Sequence, residues 1–189
     1  MTYFKKLVGE KVYLSPVTSR DATLYCQWLN NLEVARNLVI FNKQITEEWE
    51  RMILDDIQKN GGQMFAIIDR TREKLIGNCS LFRINKDHRK CEIGIFIGEP
   101  ENWGKGYGTE AMKLLVDYGF NILNMHNILL EVHSFNQRAI SCYKKVGFRE
   151  IGRRREALFF AGRSWDEILM DIIATEFESP YINQFFPDA

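Results

Sequence analysis

Cys91-Glu92-Ile93-Gly94-Ile95-Phe96-Ile97 runs through Gly98-Glu99-Pro100-Glu101-Asn102 into Trp103-Gly104-Lys105-Gly106-Tyr107-Gly108-Thr109-Glu110-Ala111, and the fold is legible first in this stretch. Its first seven residues read as a strand, and Ala111, Leu114, Leu115, Tyr118 and Ile122 recur at the spacing of a core-facing helix from about Tyr107 to Leu123. Between them stand three glycines within five residues, Gly104, Gly106 and Gly108. Glycine lets backbone approach a ligand closely, and a helix amino terminus presents free amides and partial positive charge, so the segment suits a pyrophosphate. A plain glycine-rich turn would look the same by itself, and context must decide.

Upstream, Val12, Leu14 and Val17 form a short strand ending near Pro16 and Thr18, and Ser19 and Asp21 offer caps to a helix carrying Leu24, Trp28 and Leu29. Thr46 caps a second helix to about Lys59, with Trp49, Met52, Ile53 and Ile57 at helical spacing and Gly61 and Gly62 as its stop. Met64 to Ile68, Lys74 to Phe82 and Cys91 to Ile97 alternate with charged turns at Asp69 to Arg72 and Asn85 to Lys90, as an antiparallel meander does. Downstream come a strand at Ile128 to Val132 and a helix at Asn136 to Val146 capped by Gly147. Two closing strands complete the pattern, around Phe148 to Phe160 and Ser164 to Ile173, joined at Ala161-Gly162-Arg163.

Gly106-Tyr107-Gly108-Thr109-Glu110-Ala111 also fits the dinucleotide pattern GxGxxA, with Glu131 about 20 residues further on, so a nicotinamide-binding Rossmann fold competes. In that fold the first glycine follows its strand almost directly. Here Glu99 to Lys105 intervene, and the downstream elements are one short helix and a strand pair, not an alternating βαβ series.

Trp103 to Gly108 resembles the acetyl-CoA signature Q/R-x-x-G-x-G/A of the GNAT acetyltransferase superfamily, with Gly106 and Gly108 on its glycines and Trp103 at the Q/R position. An aromatic residue there is similar to the RimJ/RimL-like branch. Leu129 to Phe148 resembles a second family segment, N-x-x-[AS]-x-x-x-Y-x-K-x-G-F, with Asn136, Tyr143 and Gly147 in place. Weaker likeness, also to spermidine N-acetyltransferases, extends from Val12 to Met170.

The resemblance implies an α/β (α+β) domain over residues 1–175 with a tail at 176–189: a central mixed, mostly antiparallel sheet flanked by helices and splayed between the strands near 91–97 and 128–133. It implies that acetyl-CoA enters the splay. Backbone of Ile95, Phe96 and Ile97 would pair with the pantetheine, the segment Trp103, Gly104, Lys105, Gly106, Tyr107, Gly108 and Thr109 would hold the pyrophosphate, and Asn136 and Tyr143 would flank the thioester arm. The reaction implied is direct acetyl transfer to a primary amine in a ternary complex, the amine belonging to a polyamine, an aminoglycoside-like molecule or a protein amino terminus. A non-catalytic acyl-CoA-binding protein on the same fold is the alternative.

By spacing alone Tyr143 is a core aromatic; the resemblance makes its phenol the proton donor to the departing thiolate. Glu92 sits in an apolar strand, where burial would raise its pKa and suit it to base catalysis, while pairing with an arginine would make it structural. His133 at a strand end and a water relay are rival bases; His88 lies in a charged turn. Cys142 invites an acyl-cysteine route, and Arg153, Arg154 and Arg155 read either as a phosphate or acidic-peptide site or as a solvated strand edge.

Lysine plus arginine and aspartate plus glutamate number 25 each in 189 residues, so no net field draws the chain to nucleic acid or a membrane surface. Met1 to Gly9 lacks the apolar core of a signal peptide and no apolar run nears the roughly 20 residues of a span, which makes the cytoplasm the expected location. Cys26, Cys79, Cys91 and Cys142 stand too far apart for a zinc or disulfide pattern, so no metal is expected. Phe185 and Phe186 in the tail read as docking on the body or on a partner, and a homo-oligomer is left open.

Overall fold

The computed structural model describes residues 3–185. Eight strands form one sheet in the order β1-β2-β3-β4-β5-β6-β8-β7. They are β1 (Leu7–Val8), β2 (Val12–Pro16), β3 (Gln63–Asp69), β4 (Lys74–Asn85), β5 (Lys90–Ile97), β6 (Asn127–His133), β7 (Arg149–Phe160) and β8 (Arg163–Ile173). Among the described residues only β5 and β6 pair in parallel; every other neighbouring pair is antiparallel. That arrangement removes the Rossmann alternative, whose sheet is built of parallel strands.

Five α-helices cover the sheet: α1 (Ala22–Leu29), α2 (Leu32–Ala35), α3 (Glu47–Lys59), α4 (Tyr107–Asn121) and α5 (Gln137–Val146). The layering follows from the strands' period of two. In β3, Phe65 and Ile67 join the core under α4 and α5, whereas Ala66 and Ile68 join a second core under α1 and α3. Val12 and Leu14 of β2 take the first side and Tyr13 the second. Both faces being covered, β3 is a continuous apolar run instead of an alternating one.

The parallel pairing of β5 with β6 lasts only from Lys90–Asn127 to Glu92–Leu129. Beyond it β5 stays with β4 as far as Ile97, and β6 stays with β8 as far as His133. The two inner strands therefore part after Glu92, and their facing edges line a groove. Gly98 closes β5 against Trp28, where a Cβ would come within 1.9 Å of the indole.

Several local expectations need correction. The fourth helix ends at Asn121, so Ile122 becomes its C-cap and is exposed. Met52 faces solvent, and Leu54 takes the buried position on α3. Asp21 holds the N-cap position of α1 without a side-chain capping bond; its carboxylate accepts from the Tyr3 hydroxyl at 2.9 Å, and Thr18 caps the preceding 3-10 turn. β1 and the short α2 lie where the pattern predicts no element. The tail folds onto the body through Asp117, a fully buried carboxylate that accepts from Ser179 Oγ at 2.6 Å, Tyr181 N at 2.9 Å and Ile182 N at 3.1 Å. Ile182 is buried and Phe185 exposed; Phe186 lies outside the described residues.

Candidate active site

The groove opened by the splay holds a cavity of about 270 Å³. Ile95, Phe96 and Ile97 of β5 form one wall, Trp103, Gly104 and Gly106 to Thr109 another, Asn136 and Tyr143 a third, and Val34, Asn37 and Leu38 around α2 the fourth. Eleven of the thirteen expected site residues thus meet in one cavity. Lys105 and Glu92 do not line it.

Local chemistry explains how the glycine loop is held. The Trp103 indole N–H donates to the Ile97 carbonyl at 2.9 Å, and the Arg138 guanidinium lies 3.4 Å from the centre of the same ring. An aromatic residue at this place therefore ties the loop to the end of β5 and to α5, and it takes the Ile97 carbonyl out of the strand's free edge. Gly104 and Gly106 have φ of +74° and +89°, which a side chain disfavours. Gly106 caps α4 without a side chain, and the first i to i−4 bond at the helix start runs from Glu110 N to the Gly106 carbonyl. The amides of Tyr107, Gly108 and Thr109 are the orphan donors of that turn.

Two residues outside the sequence expectation, Glu110 and Lys11, brace this loop. The Glu110 carboxylate accepts from the backbone of Glu10, Lys11 and Val12, each at 2.8 Å, and clamps the β1–β2 turn beneath the helix start. That clamp brings the Lys11 ammonium to the Lys105 carbonyl at 3.0 Å, beside Gly106. A glutamate in the first turn of a helix after a glycine loop is the available signal; no local pattern links it to residues a hundred positions earlier.

On α5, Asn136 is the N-cap and accepts from Ala139 N at 3.2 Å. Tyr143 is buried, and burial pushes its phenol well above the ordinary range, so it keeps its proton at neutral pH. The Cys142 thiol sits 3.2 Å from Thr109 Oγ1, and burial raises it as well. Gly147 ends the helix with φ of +121° and donates to the Tyr143 carbonyl at 3.1 Å.

Carboxylates gather where the strands part. Glu92 is not the buried, uncompensated acid that its strand context suggests: Arg83 donates to both its oxygens at 3.0 and 2.9 Å. Glu167 is held by Arg154 at 2.6 Å. Glu131, between them on β6, is exposed, yet partial desolvation raises its pKa, and Glu167 and Glu92 raise it further. His133, two residues on, is 4% exposed; burial lowers its pKa and keeps the ring neutral. His88 is exposed in its turn, and Arg153 pairs with Glu150 and Asp166 at the strand edge. Among the described residues no helix is long and apolar enough to cross a membrane.

A sheet that parts beside a glycine-bounded helix start defines a class of acyltransferases, and comparison with known proteins agrees. The acetyltransferase (GNAT) domain profile matches residues 11–149, and the chain belongs to that family of acetyl-CoA-dependent N-acetyltransferases. Spermidine N(1)-acetyltransferase of Escherichia coli K12 is 39% identical over 169 residues, covering 89% of each chain. The enzyme of that name from Vibrio cholerae is 33% identical over 162 residues, covering 84% of this chain and 90% of its own. A crystal structure of Vibrio cholerae spermidine N-acetyltransferase with CoA and spermine superposes with a TM-score of 0.78 at 29% identity, covering 89% of this chain and 98% of the other. An acetyltransferase of Bacillus anthracis shares the fold, with a TM-score of 0.77 at 22% identity over 90% of this chain and 99% of its own.

Proposed function

We propose that the protein transfers the acetyl group of acetyl-CoA directly to a primary amine, with the splay as the donor site and the α2 side of the groove as the acceptor entrance. The observation that carries this reading is the single cavity joining the β5 edge, the orphan amides of α4 and the Tyr143 phenol.

In this reading Ile95 and Phe96 offer backbone to the pantetheine amides as a neighbouring strand would, and Tyr107 to Thr109 hold the pyrophosphate with their N–H groups, the Lys11 ammonium adding charge from outside the loop. Asn136 caps α5 with its carboxamide oxygen and turns its amide toward the arm. Glu131 takes the proton from the attacking ammonium. A carboxyl raised by partial desolvation and two neighbouring carboxylates is a stronger base than an ordinary one, and Glu92, already satisfied by Arg83, keeps the guanidinium in place beside it. As the amine nitrogen bonds the acetyl carbon and the carbon–sulfur bond breaks, Tyr143 gives its proton to the departing thiolate. Direct transfer is favoured over an acyl-cysteine because the Cys142 thiol is pushed up by burial and engaged with Thr109. The domain unit is taken as residues 1–175 with the docked tail, and the site of action as the cytoplasm.

The test is release of the coenzyme thiol over a panel of primary amines, followed by pH profiles of Glu131→Gln and Glu92→Gln. The base form of Glu131 exists above its raised pKa, so the parent loses kcat/KM as pH falls through that value. Glu131→Gln should lose that acidic limb together with most of its rate, and Glu92→Gln should keep the limb. An intact limb in Glu131→Gln would remove it from the role.

A further inference from the structure

A cluster of rings packs around the end of β6, unused by the chemistry above. The Phe135 ring is 5.2 Å from His133, 5.1 Å from Trp165 and 5.4 Å from Phe160, centroid to centroid, and Phe41 lies 5.0 Å from Phe160. Four separate segments supply these rings: the loop after α2, the end of β6, the end of β7 and the start of β8. None of these rings lines the cavity itself; the cluster joins its wall through the chain, Phe135 directly preceding Asn136 and Phe41 following Asn37 and Leu38.

Two polar atoms here are buried without a partner, Trp165 Nε1 and His133 Nδ1. Buried polar groups are nearly always satisfied, so each calls for a partner that the chain does not supply, an ordered water or a ligand group. An indole N–H can only donate, and its missing partner is an oxygen acceptor. An alkylammonium can donate to the bare Nδ1 of the neutral His133 ring, whose other nitrogen bonds the Arg36 backbone, but it has no acceptor for the indole.

Charge narrows the choice further. Of the three carboxylates at the mouth, Glu92 and Glu167 are taken by Arg83 and Arg154, leaving Glu131. One carboxylate matches one ammonium. Arg36 and Arg138 stand close enough on the α2 side for their like charges to interact, and with the single Glu33 carboxylate near Arg138 the guanidiniums outnumber it there, so a second or third ammonium is poorly matched.

We infer that this cluster is an acceptor subsite selecting a monoamine with an apolar, flat body and a carbonyl or hydroxyl oxygen. Phe41, Phe135 and Phe160 take up the body, and Trp165 Nε1 donates to the oxygen. The inference rests on the acetyl-transfer reading of the cavity, and it separates this chain from relatives named for spermidine.

The experiment compares kcat/KM of the full chain for phenylalaninamide, phenethylamine and spermidine by coenzyme thiol release, in the parent, Trp165→Phe and Phe41→Ala. Phenylalaninamide should exceed the other two by about 10-fold or more, because a site built to donate a hydrogen bond rejects analogues without an acceptor. Trp165→Phe keeps a ring but removes the N–H; it should lower the phenylalaninamide value about 10-fold, mainly through KM, and leave phenethylamine within about 2-fold. Phe41→Ala, on a loop, should weaken both aryl amines and spare spermidine. A preference for spermidine, or equal losses for both aryl amines in Trp165→Phe, overturns the subsite while leaving acetyl transfer intact. Binding of acetyl-CoA with no turnover of any amine overturns both.

Discussion

The donor and acceptor halves of the groove are built in opposite ways. The donor half is a strand end, a loop and a helix start in continuous sequence, with one helix facing them. Its geometry is local: positive φ at Gly104 and Gly106, orphan amides on α4, and an indole tied to the preceding strand. The acceptor half draws on α2, β6, β7 and β8, and its orientation depends on ion pairs and ring contacts between segments distant in sequence. On the proposed function, local geometry would recognise the part of the ligand common to the family. Long-range assembly is free to vary with the acceptor.

Tyr143 stands where the two halves meet, and losing its hydroxyl should cost the most. Tyr143→Phe keeps the ring and its packing but removes the proton, and turnover should fall roughly 100-fold to 10,000-fold with acetyl-CoA affinity nearly unchanged. Single-turnover rates are the measurement, since slow product release would mask the loss. A rate within a few-fold of the parent would make Tyr143 a packing residue.

The donor half can be damaged alone. Gly106→Val would mix steric blockage with backbone strain, because Gly106 holds φ of +89°. Gly108 is cleaner: a Cβ there would meet only Ile97 and Ile95, at 3.8 and 3.9 Å, ordinary contacts. Gly108→Val should therefore fold and weaken acetyl-CoA by roughly 10-fold to 100-fold as charge-assisted amide contacts are lost. Titration calorimetry checks this, and undiminished affinity would separate the loop from the phosphates.

In the acceptor half, His133 offers a smaller effect, read in stability instead of turnover. Burial lowers its pKa, so near pH 6 the unfolded chain binds more protons there than the native one, and stability drops as pH falls below the unfolded value of about 6.5. His133→Gln should flatten that drop between about pH 6.5 and 5, and a single proton limits the change in slope to about 1.4 kcal/mol per pH unit. Denaturant midpoints across that range decide it; a drop of the same steepness in the variant would mean that other groups cause it.

The donor half was legible in the sequence because its signals are short-range: a strand, glycines where φ turns positive, an apolar helix period. The parting of β5 and β6 was legible only through resemblance, since nothing in Cys91 to Ile97 says which neighbour it loses. Glu92 stayed open between base and arginine pair because its partner, Arg83, belongs to the other strand of a hairpin and is invisible to periodicity. Glu110 and Asp117 carry charges that a helical pattern assigns to solvent, yet both are buried carboxylates holding distant backbone. The ring cluster has no sequence signature because Phe41, Phe135, Phe160 and Trp165 share no spacing.

If the splay is the acetyl-CoA site, with the thioester end at Tyr143, a crystal structure of the chain with coenzyme A will show it. Pyrophosphate oxygens should lie within hydrogen-bond distance of the Tyr107 to Thr109 amides, with pantetheine beside Ile95 and Phe96 and the sulfur next to the Tyr143 hydroxyl. Coenzyme bound elsewhere, or threaded through the splay with its sulfur remote from Tyr143, would contradict this assignment.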